Sequence, residues 1–194
     1  MLYSFLKPIA VFLFKLLFRL EIYGKDYIPK EGGFILASNH VSYLDPIVLG
    51  VACSRRLNFM AKEELFENPV FSRFISLLGA FPVKRDSADL SAIKEAMRRL
   101  KKGMVLVLFP EGSRRFDGYK LKPYSGIGFL SAKLNVPVVP VFIHGTDRAL
   151  PKNAKFIRLT KISLHFGKKI SFGKDMPYPE IARIVMERIN QLAY

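Results

Sequence analysis

Residues 34–53 read FILASNHVSYLDPIVLGVAC and contain a strand pattern, a polar turn and a helix start in immediate succession. The first five residues are an apolar run of the length typical of a strand buried on both faces. Asp45 and Pro46 then predict a helix, with the aspartate as its N-cap and the proline at the first helical position. A strand that leads directly into a helix is the repeating unit of α/β folds.

Similar strand patterns recur along the chain and alternate with helical patterns. Strands are predicted at 21–24, 57–61, 81–84, 104–109 and 138–143, and helices at 62–78 (in two pieces), 90–102, 124–135 and 181–192. We expect Asp86 or Ser87 to cap the helix that begins near residue 90, and the alternation around Gly167 indicates a hairpin or a bent strand. The 194 residues therefore predict a single α/β domain with a central mixed, mainly parallel sheet flanked by helices.

Charge is the most distinctive property of the composition. Lysine and arginine number 31 against 16 acidic residues, a net charge of +15. Such a surface fits nucleic acid, anionic lipid or an acidic protein, and charge alone does not choose among them. Cys53 is the single cysteine, so neither an internal disulfide nor a cysteine-based metal site is expected, which fits a reducing compartment.

The N-terminal segment 1–20 is apolar, but Lys7, Lys15 and Arg19 interrupt it. A bilayer-spanning helix needs about 20 mostly apolar residues. Lys15 and Arg19 are predicted on one helical face, opposite Leu13, Leu16, Leu17 and Leu20. This pattern predicts an amphipathic helix in the interface of an anionic membrane, with its cations at the headgroups. The alternatives are a core helix docked on the domain and a tilted or re-entrant segment.

The polar turn NHVSYLD, residues 39–45, contains the first candidate for catalysis. An imidazole titrates in the range that suits a general base, and an aspartate bonded to its far nitrogen fixes the tautomer. His40 and Asp45 are therefore a candidate base and its orienting group. Ser42 is awkwardly placed for a triad, so we expect an alcohol to attack directly rather than through a seryl intermediate. In the alternative interpretation, Asp45 only caps its helix and His40 only completes a turn.

A second polar segment, FPEGSR at residues 109–114, directly follows the apolar run MVLVLF. A tight Pro-Glu-Gly turn is expected to leave backbone amides pointing outward. With Arg114 beside them, these amides predict a phosphate site, since arginine can grip phosphate with two parallel hydrogen bonds.

Together, NHVSYLD and FPEGSR resemble signature blocks of the glycerolipid acyltransferase family, in particular its 1-acylglycerol-3-phosphate acyltransferases. GAFPVKR at 79–85 is similar to the second block of the family, and VPVVPV at 136–141 to the fourth. The likeness covers about residues 30–145, and four blocks in order are much more specific than one His-Asp pair. Lys84 stands where relatives often carry an acidic residue or asparagine, and Ser113 where threonine is common.

The resemblance implies an O-acyltransferase domain at 21–194 behind the membrane helix at 1–20. It implies transfer of a fatty acyl group from acyl-coenzyme A or acyl carrier protein to the sn-2 hydroxyl of 1-acylglycerol 3-phosphate, which makes phosphatidic acid for phospholipid synthesis. His40 would be the base and Asp45 its orienter. The acceptor phosphate would be held by Arg85, Glu111, Gly112, Ser113, Arg114 and Lys62. Neither a cofactor nor a metal is expected, and the protein would be peripheral or monotopic on the cytoplasmic face of a membrane.

Two rival functions follow from the same residues. The first is acylation of another acceptor, such as glycerol 3-phosphate, a lyso-ornithine lipid or another lysophospholipid. The second is a non-enzymatic basic protein that binds membrane or nucleic acid. No nucleic-acid signature is recognisable in the sequence, so nucleic acid is not expected as a partner.

Overall fold

The computed structural model describes residues 2–84, 89–112, 123–151, 154 and 156–193. In these residues, seven strands form one sheet in the order β1-β7-β6-β2-β5-β3-β4. The strands are β1 (Glu21–Tyr23), β2 (Phe34–Ser38), β3 (Leu57–Lys62), β4 (Ala80–Val83), β5 (Val105–Leu108), β6 (Val138–His144) and β7 (Ser163–Phe166). All five residues of β2, at the centre of the sheet, are buried, as its apolar run predicts.

The sheet is mixed but mainly parallel, which confirms the predicted fold class. All neighbouring strands are parallel except β6 and β7. The chain beyond β7 stays with β6, because Gly167 and Ile170 both donate backbone hydrogen bonds to it. The alternation around Gly167 is therefore a bent strand, and the hairpin alternative is wrong.

Helices cover both faces of the sheet. They are α1 (Leu2–Phe18), α2 (Asp45–Ala52), α3 (Pro69–Leu77), α4 (Leu90–Lys101), α5 (Gly126–Leu134), α6 (Thr146–Ala149) and α7 (Tyr178–Gln191). The buried side chains of α2 join the core on one face, and those of α4, α5 and α7 join the core on the other. The short helix α6 was not predicted. A 3-10 turn at Glu63–Phe66 and α3 are the two pieces expected within 62–78.

Two predicted helix caps are wrong in an informative way. Helix α4 is capped by Asp89, whose side chain accepts hydrogen bonds from the backbone of Ser91 and Ala92, rather than by Asp86 or Ser87. Helix α2 begins at Asp45, but its N-cap is Leu44 and no side chain caps it. The Asp45 carboxylate points back to the preceding turn instead, where it accepts hydrogen bonds from two backbone amides.

Helix α1 packs on the domain along one face and exposes apolar side chains on the other. Ala10, Val11, Phe14 and Phe18 contact the core on the α2 side of the sheet. The exposed face carries Phe5, Ile9, Phe12, Leu13, Leu16 and Leu17. The predicted division into a cationic and a leucine face is wrong in part, because Arg19 lies beyond the helix end with a positive φ and Leu20 is buried. Within the described residues, no helix combines the length and apolarity needed to cross a bilayer.

Candidate active site

The central feature of the site is a histidine–aspartate pair at the end of β2. His40 Nδ1 lies 2.8 Å from Asp45 Oδ2. The aspartate side chain is fully buried, whereas 12% of the histidine side chain is exposed. The pair that the sequence predicts is therefore formed, and its basic member is partly exposed to solvent.

Asp45 also fixes the turn that carries His40. The same oxygen, Oδ2, accepts hydrogen bonds from the backbone amides of Val41 at 2.7 Å and Ser42 at 2.8 Å. Since a carboxylate only accepts, the hydrogen-bond pattern assigns the proton of a neutral His40 to Nδ1. Its Nε2 then has a free lone pair, which is the state that a general base requires.

The second candidate block meets the first through an aromatic contact. The ring of Phe109 stacks on the imidazole of His40, with 4.0 Å between ring centroids and an interplanar angle of 19°. The contact arises because β2 and β5 are hydrogen-bonded neighbours, and the two residues follow their last paired positions. Sequence reasoning did not single out Phe109, although its place at the start of FPEGSR was a usable signal.

The turn at residues 109–112 is closed by its own backbone. The amide of Gly112 donates to the carbonyl of Phe109 at 2.9 Å. The expectation that this amide points outward to a phosphate is therefore wrong, because it is already used inside the turn. Gly112 is needed for shape: its φ is +68°, and a Cβ there would come within 2.3 Å of the Tyr124 ring.

Glu111 lies in the same turn and is almost completely buried, with 1% of its surface exposed. An ionised carboxylate has no hydrogen to donate to a phosphate, and the two would repel each other. Direct contact between Glu111 and an acceptor phosphate is therefore disfavoured. Ser113 and Arg114 follow immediately along the chain and lie outside the described residues.

The ends of β3 and β4 complete one edge of the sheet, which we call the carboxyl edge: the edge at which β2, β5, β3 and β4 all end. Lys62 ends β3, which is two strands from β2, and the usual strand spacing puts the axes of these two strands about 10 Å apart. Its ammonium lies 3.3 Å from Glu64 and stays half exposed. Lys84 follows β4, and its ammonium lies 3.8 Å from Glu63, which offsets part of the added charge. Arg85 lies outside the described residues.

Asp89 joins the end of β4 to the start of α4. Its carboxylate accepts a hydrogen bond from the Lys84 amide at 2.9 Å while it caps the helix. The backbone amide of Lys84, the Ser91 hydroxyl and the Ala92 amide together hold the pKa of Asp89 well below its usual range. A hydrogen bond thus joins Lys84 and Asp89, the two described residues on either side of the segment that contains Arg85.

Two further polar residues of the NHVSYLD block have structural roles. The Asn39 side chain accepts from the Ile143 amide at 2.8 Å and donates to the Ile143 carbonyl at 3.0 Å, which joins the end of β2 to β6. The Ser42 hydroxyl donates to the carbonyl of Leu150 at 3.0 Å. Ser42 is buried and its hydroxyl is used in this hydrogen bond, which agrees with the expectation that it is not a nucleophile. Asn39 is a positioning residue that sequence reasoning missed.

Comparison with known proteins shows the family to which the chain belongs. The family model described as Acyltransferase matches residues 19–144, so the chain belongs to the acyltransferase family. A 1-acyl-sn-glycerol-3-phosphate acyltransferase of Bacillus subtilis is 30% identical over 175 residues, which cover 89% of this chain and 85% of that protein. The enzyme of the same name from Streptococcus pneumoniae is 31% identical and covers 89% and 64%, respectively.

A solved structure has the same fold. The crystal structure of the 1-acyl-sn-glycerophosphate (LPA) acyltransferase from Thermotoga maritima superposes with a TM-score of 0.81 at 26% identity. The match covers 98% of this chain and 79% of that one. Within the parts of the chain that the structure describes, no cluster of three His, Cys, Asp or Glu side chains could hold a metal ion.

Proposed function

We propose that the protein transfers a fatty acyl group from an acyl thioester to the sn-2 hydroxyl of 1-acylglycerol 3-phosphate, which yields phosphatidic acid and a free thiol. The observation that supports this most directly is the hydrogen-bonded pair of His40 and Asp45, with the imidazole partly exposed to solvent. The names of the similar proteins from Bacillus subtilis and Thermotoga maritima point to the same reaction.

In the proposed mechanism, His40 Nε2 takes the proton of the acceptor hydroxyl as the oxygen attacks the thioester carbonyl carbon. A carbon–oxygen bond forms, the carbon–sulfur bond breaks, and the thiolate leaves with the proton that the imidazolium returns. Asp45 keeps Nδ1 protonated and stabilises the imidazolium between the two proton transfers. The donor is acyl-coenzyme A or acyl carrier protein, and no other cofactor takes part.

We infer that the acceptor phosphate binds along the carboxyl edge. Lys62, Arg85, Ser113 and Arg114 are its proposed contacts, and each follows or ends a strand of this edge in the chain order. Gly112 contributes the shape of the turn. Glu111 is buried and is proposed to orient a basic neighbour rather than to touch the phosphate. Fixing the phosphate presents the hydroxyl to the base and removes the entropy of a chance encounter.

The amphiphilic acceptor implies that the protein works at a lipid surface. Helix α1 supports this, since six of its large apolar side chains are exposed on one face. We propose that this face enters the interface of an anionic membrane and that Lys15 and Arg19 meet the headgroups. Peripheral or monotopic attachment on the cytoplasmic face stays a prediction.

The first experiment tests the base. Thiol release and phosphatidic acid formation are measured for the wild type, His40→Ala and a control, His165→Gln, whose imidazole lies on β7, two strands from β2, and stacks on Tyr23. We expect His40→Ala to lower kcat by about 10²- to 10⁴-fold, the usual contribution of a positioned base. Near-normal turnover in that variant would exclude His40 as the base.

The second experiment tests the acceptor. Purified enzyme is supplied with both donors and with 1-acylglycerol 3-phosphate, glycerol 3-phosphate, a lyso-ornithine lipid or a lysophospholipid without a terminal phosphate. We expect the first acceptor to have the highest kcat/KM, and Arg114→Ala to raise the KM of the acceptor more than that of the donor. A preference for another acceptor replaces the proposed substrate and leaves the proposed chemistry intact.

A further inference from the structure

The two helical layers of the domain differ in what they expose. Within the helices α4, α5 and α7, the exposed large apolar side chains are Leu90 and Tyr178, each the first residue of its helix, and Met104 and Tyr124 are exposed in the adjoining loops. The remaining exposed positions of α4 and α7 include charged pairs such as Arg98 with Glu95 and Arg183 with Glu187. This layer therefore has the polar surface that an aqueous environment requires.

Helix α3 lies in the opposite layer, with α1 and α2. The connections from β2 to β3 and from β3 to β4 both cross the sheet in the same direction, away from β1 in the strand order. Parallel crossover connections are right-handed, so the helices they contain, α2 and α3, lie on the same face. The buried side chains of α2 contact the same core as those of α1.

Helix α3 has its apolar stripe turned outward. Val70, Phe74 and Leu77 repeat at intervals of four and three residues, the spacing of one helical face, and all three are exposed. Val70 has 81% of its surface exposed and Phe74 46%. Phe71 is exposed beside them, and α3 contains no buried residue. A helix of an ordinary soluble domain turns such a stripe toward the core.

Further exposed apolar side chains lie in the segments that connect the candidate active site to α2 and α3 along the chain. Tyr43 and Ile47, which flank the buried Asp45 in the chain, are exposed between the two helices in chain order. The exposed Leu65 precedes α3 just after β3 ends at the carboxyl edge. Exposed apolar side chains are therefore found on α1, at the start of α2 and on α3, the three helices of this layer.

We propose that the outward face of α3 is a second membrane-contacting element, which rests on an anionic phospholipid bilayer together with α1. The proposal rests on the proposed function, because a lipid acceptor must pass from the bilayer to the imidazole. The net charge of +15 favours an anionic bilayer as the occupant over a second copy of the chain, which would carry the same positive charge. Arg73, exposed on the same helix, is placed to meet headgroup phosphates. With α1 alone, the domain could pivot about one helix, whereas a second contact fixes its orientation.

The absence of tryptophan from the chain permits a direct test. The Phe74→Trp variant carries a single fluorescent reporter on α3, and Leu90→Trp carries one at an exposed apolar position of the opposite layer. Each is titrated with vesicles of phosphatidylglycerol and phosphatidylcholine, with and without brominated acyl chains. We expect a blue shift and bromine quenching for Phe74→Trp and neither for Leu90→Trp.

Three results would overturn the proposal. The first is a Phe74→Trp emission maximum that does not shift although the protein sediments with the vesicles. The second is an equal shift in both variants. The third is a shift that appears without vesicles and grows with protein concentration, which would assign the face to a second copy of the chain.

A second variant measures the affinity. Phe74→Ser removes one large apolar side chain from the stripe, and we expect about tenfold weaker vesicle binding. This is the effect expected if roughly half of the phenylalanine surface is buried in lipid when the wild type binds. Turnover of a short-chain acceptor dispersed as monomers should stay unchanged, because the variant leaves His40 intact. Unchanged vesicle affinity would contradict the role of α3. Loss of turnover in the wild type with every acceptor would contradict the proposed function, while the fluorescence result would still locate the membrane contact.

Discussion

Replacing Asp45 by asparagine separates the charge of this residue from its hydrogen-bonding geometry. Two backbone amides, of Val41 and Ser42, donate to Asp45 Oδ2. In Asp45→Asn an oxygen must remain at that position, because the NH₂ group would face two donors. The asparagine carbonyl therefore still accepts from His40 Nδ1, and the tautomer is kept. Only the negative charge behind the imidazolium is lost.

The magnitude follows from the kind of hydrogen bond that is changed. A bond to a charged acceptor contributes about 1.5–3 kcal/mol, and a neutral one about 0.5–1.5 kcal/mol. The difference of about 1–2 kcal/mol corresponds to a fall in kcat of about 5- to 30-fold. The folded state is weakened as well, because the new NH₂ group replaces Oδ1, which is buried without a hydrogen-bond partner among the described residues. An unpaired buried donor costs about 1–3 kcal/mol.

The assay combines steady-state thiol release, urea unfolding and ¹⁵N NMR of labelled histidine. The chain has three histidines, so the His40 signals are assigned by its alanine variant. We expect the neutral ring to be protonated at Nδ1 in both wild type and Asp45→Asn, with Asp45→Ala as the variant that loses the anchor altogether. A loss of kcat in Asp45→Asn as large as that of His40→Ala, or a change of tautomer, would refute the reasoning. Unchanged kcat would show that the charge is not needed.

The remaining predictions concern the supports of the site. Gly112→Ala forces a side chain against the Tyr124 ring at a positive φ, so we expect urea unfolding to show a free energy of unfolding lower by at least about 1–2 kcal/mol. Gly126→Ala is the matched control, because there is open space where its Cβ would lie, and it should be neutral or stabilising. Asn39→Ala leaves the buried amide and carbonyl of Ile143 in β6 unpaired. We expect the free energy of unfolding to fall by about 2–4 kcal/mol and kcat to decrease. Unchanged stability contradicts the role of Asn39. Hydrogen bonds from the arginines one turn later lower the pKa of Glu95 to about 2, so its stabilising contribution is present above pH 4.5 and is lost as the pH falls toward 2. The stability difference between wild type and Glu95→Gln should therefore shrink in urea unfolding at pH 3 relative to pH 6, and a constant difference contradicts it.

Local sequence was sufficient for most elements of the fold. The strands β2, β5 and β6 are continuous apolar runs, and such runs need no partner to be recognised. The two catalytic candidates were also visible, because His40 and Asp45 lie five positions apart in one turn, whose Val41 and Ser42 amides bind the same carboxylate. Phosphate-binding roles for Arg85, Ser113 and Arg114 stay predictions, since these residues lie outside the described residues.

Each error arose where a residue had more than one possible contact, and the sequence pattern did not show which contact the fold uses. Asp45 was expected to cap α2, but two amides and an imidazole within five residues offer it more hydrogen bonds. The Gly112 amide was expected to face a ligand, but closing its own turn satisfies it. Leu20 was assigned to an exposed helical face, but the helix ends at Phe18 and the chain turns into the core.

By itself, the sequence determined the α/β class, the apolar strands and the presence of an acid–base pair in one turn, because these depend on residues close together in the chain. The tertiary structure alone decided that β5 lies beside β2, which stacks Phe109 on His40 and brings the second block to the first. It also decided that the apolar stripe of α3 faces outward in the same layer as α1. Strand order and the direction of a helical face depend on which surfaces bury one another, and spacing along a single segment contains no record of that choice.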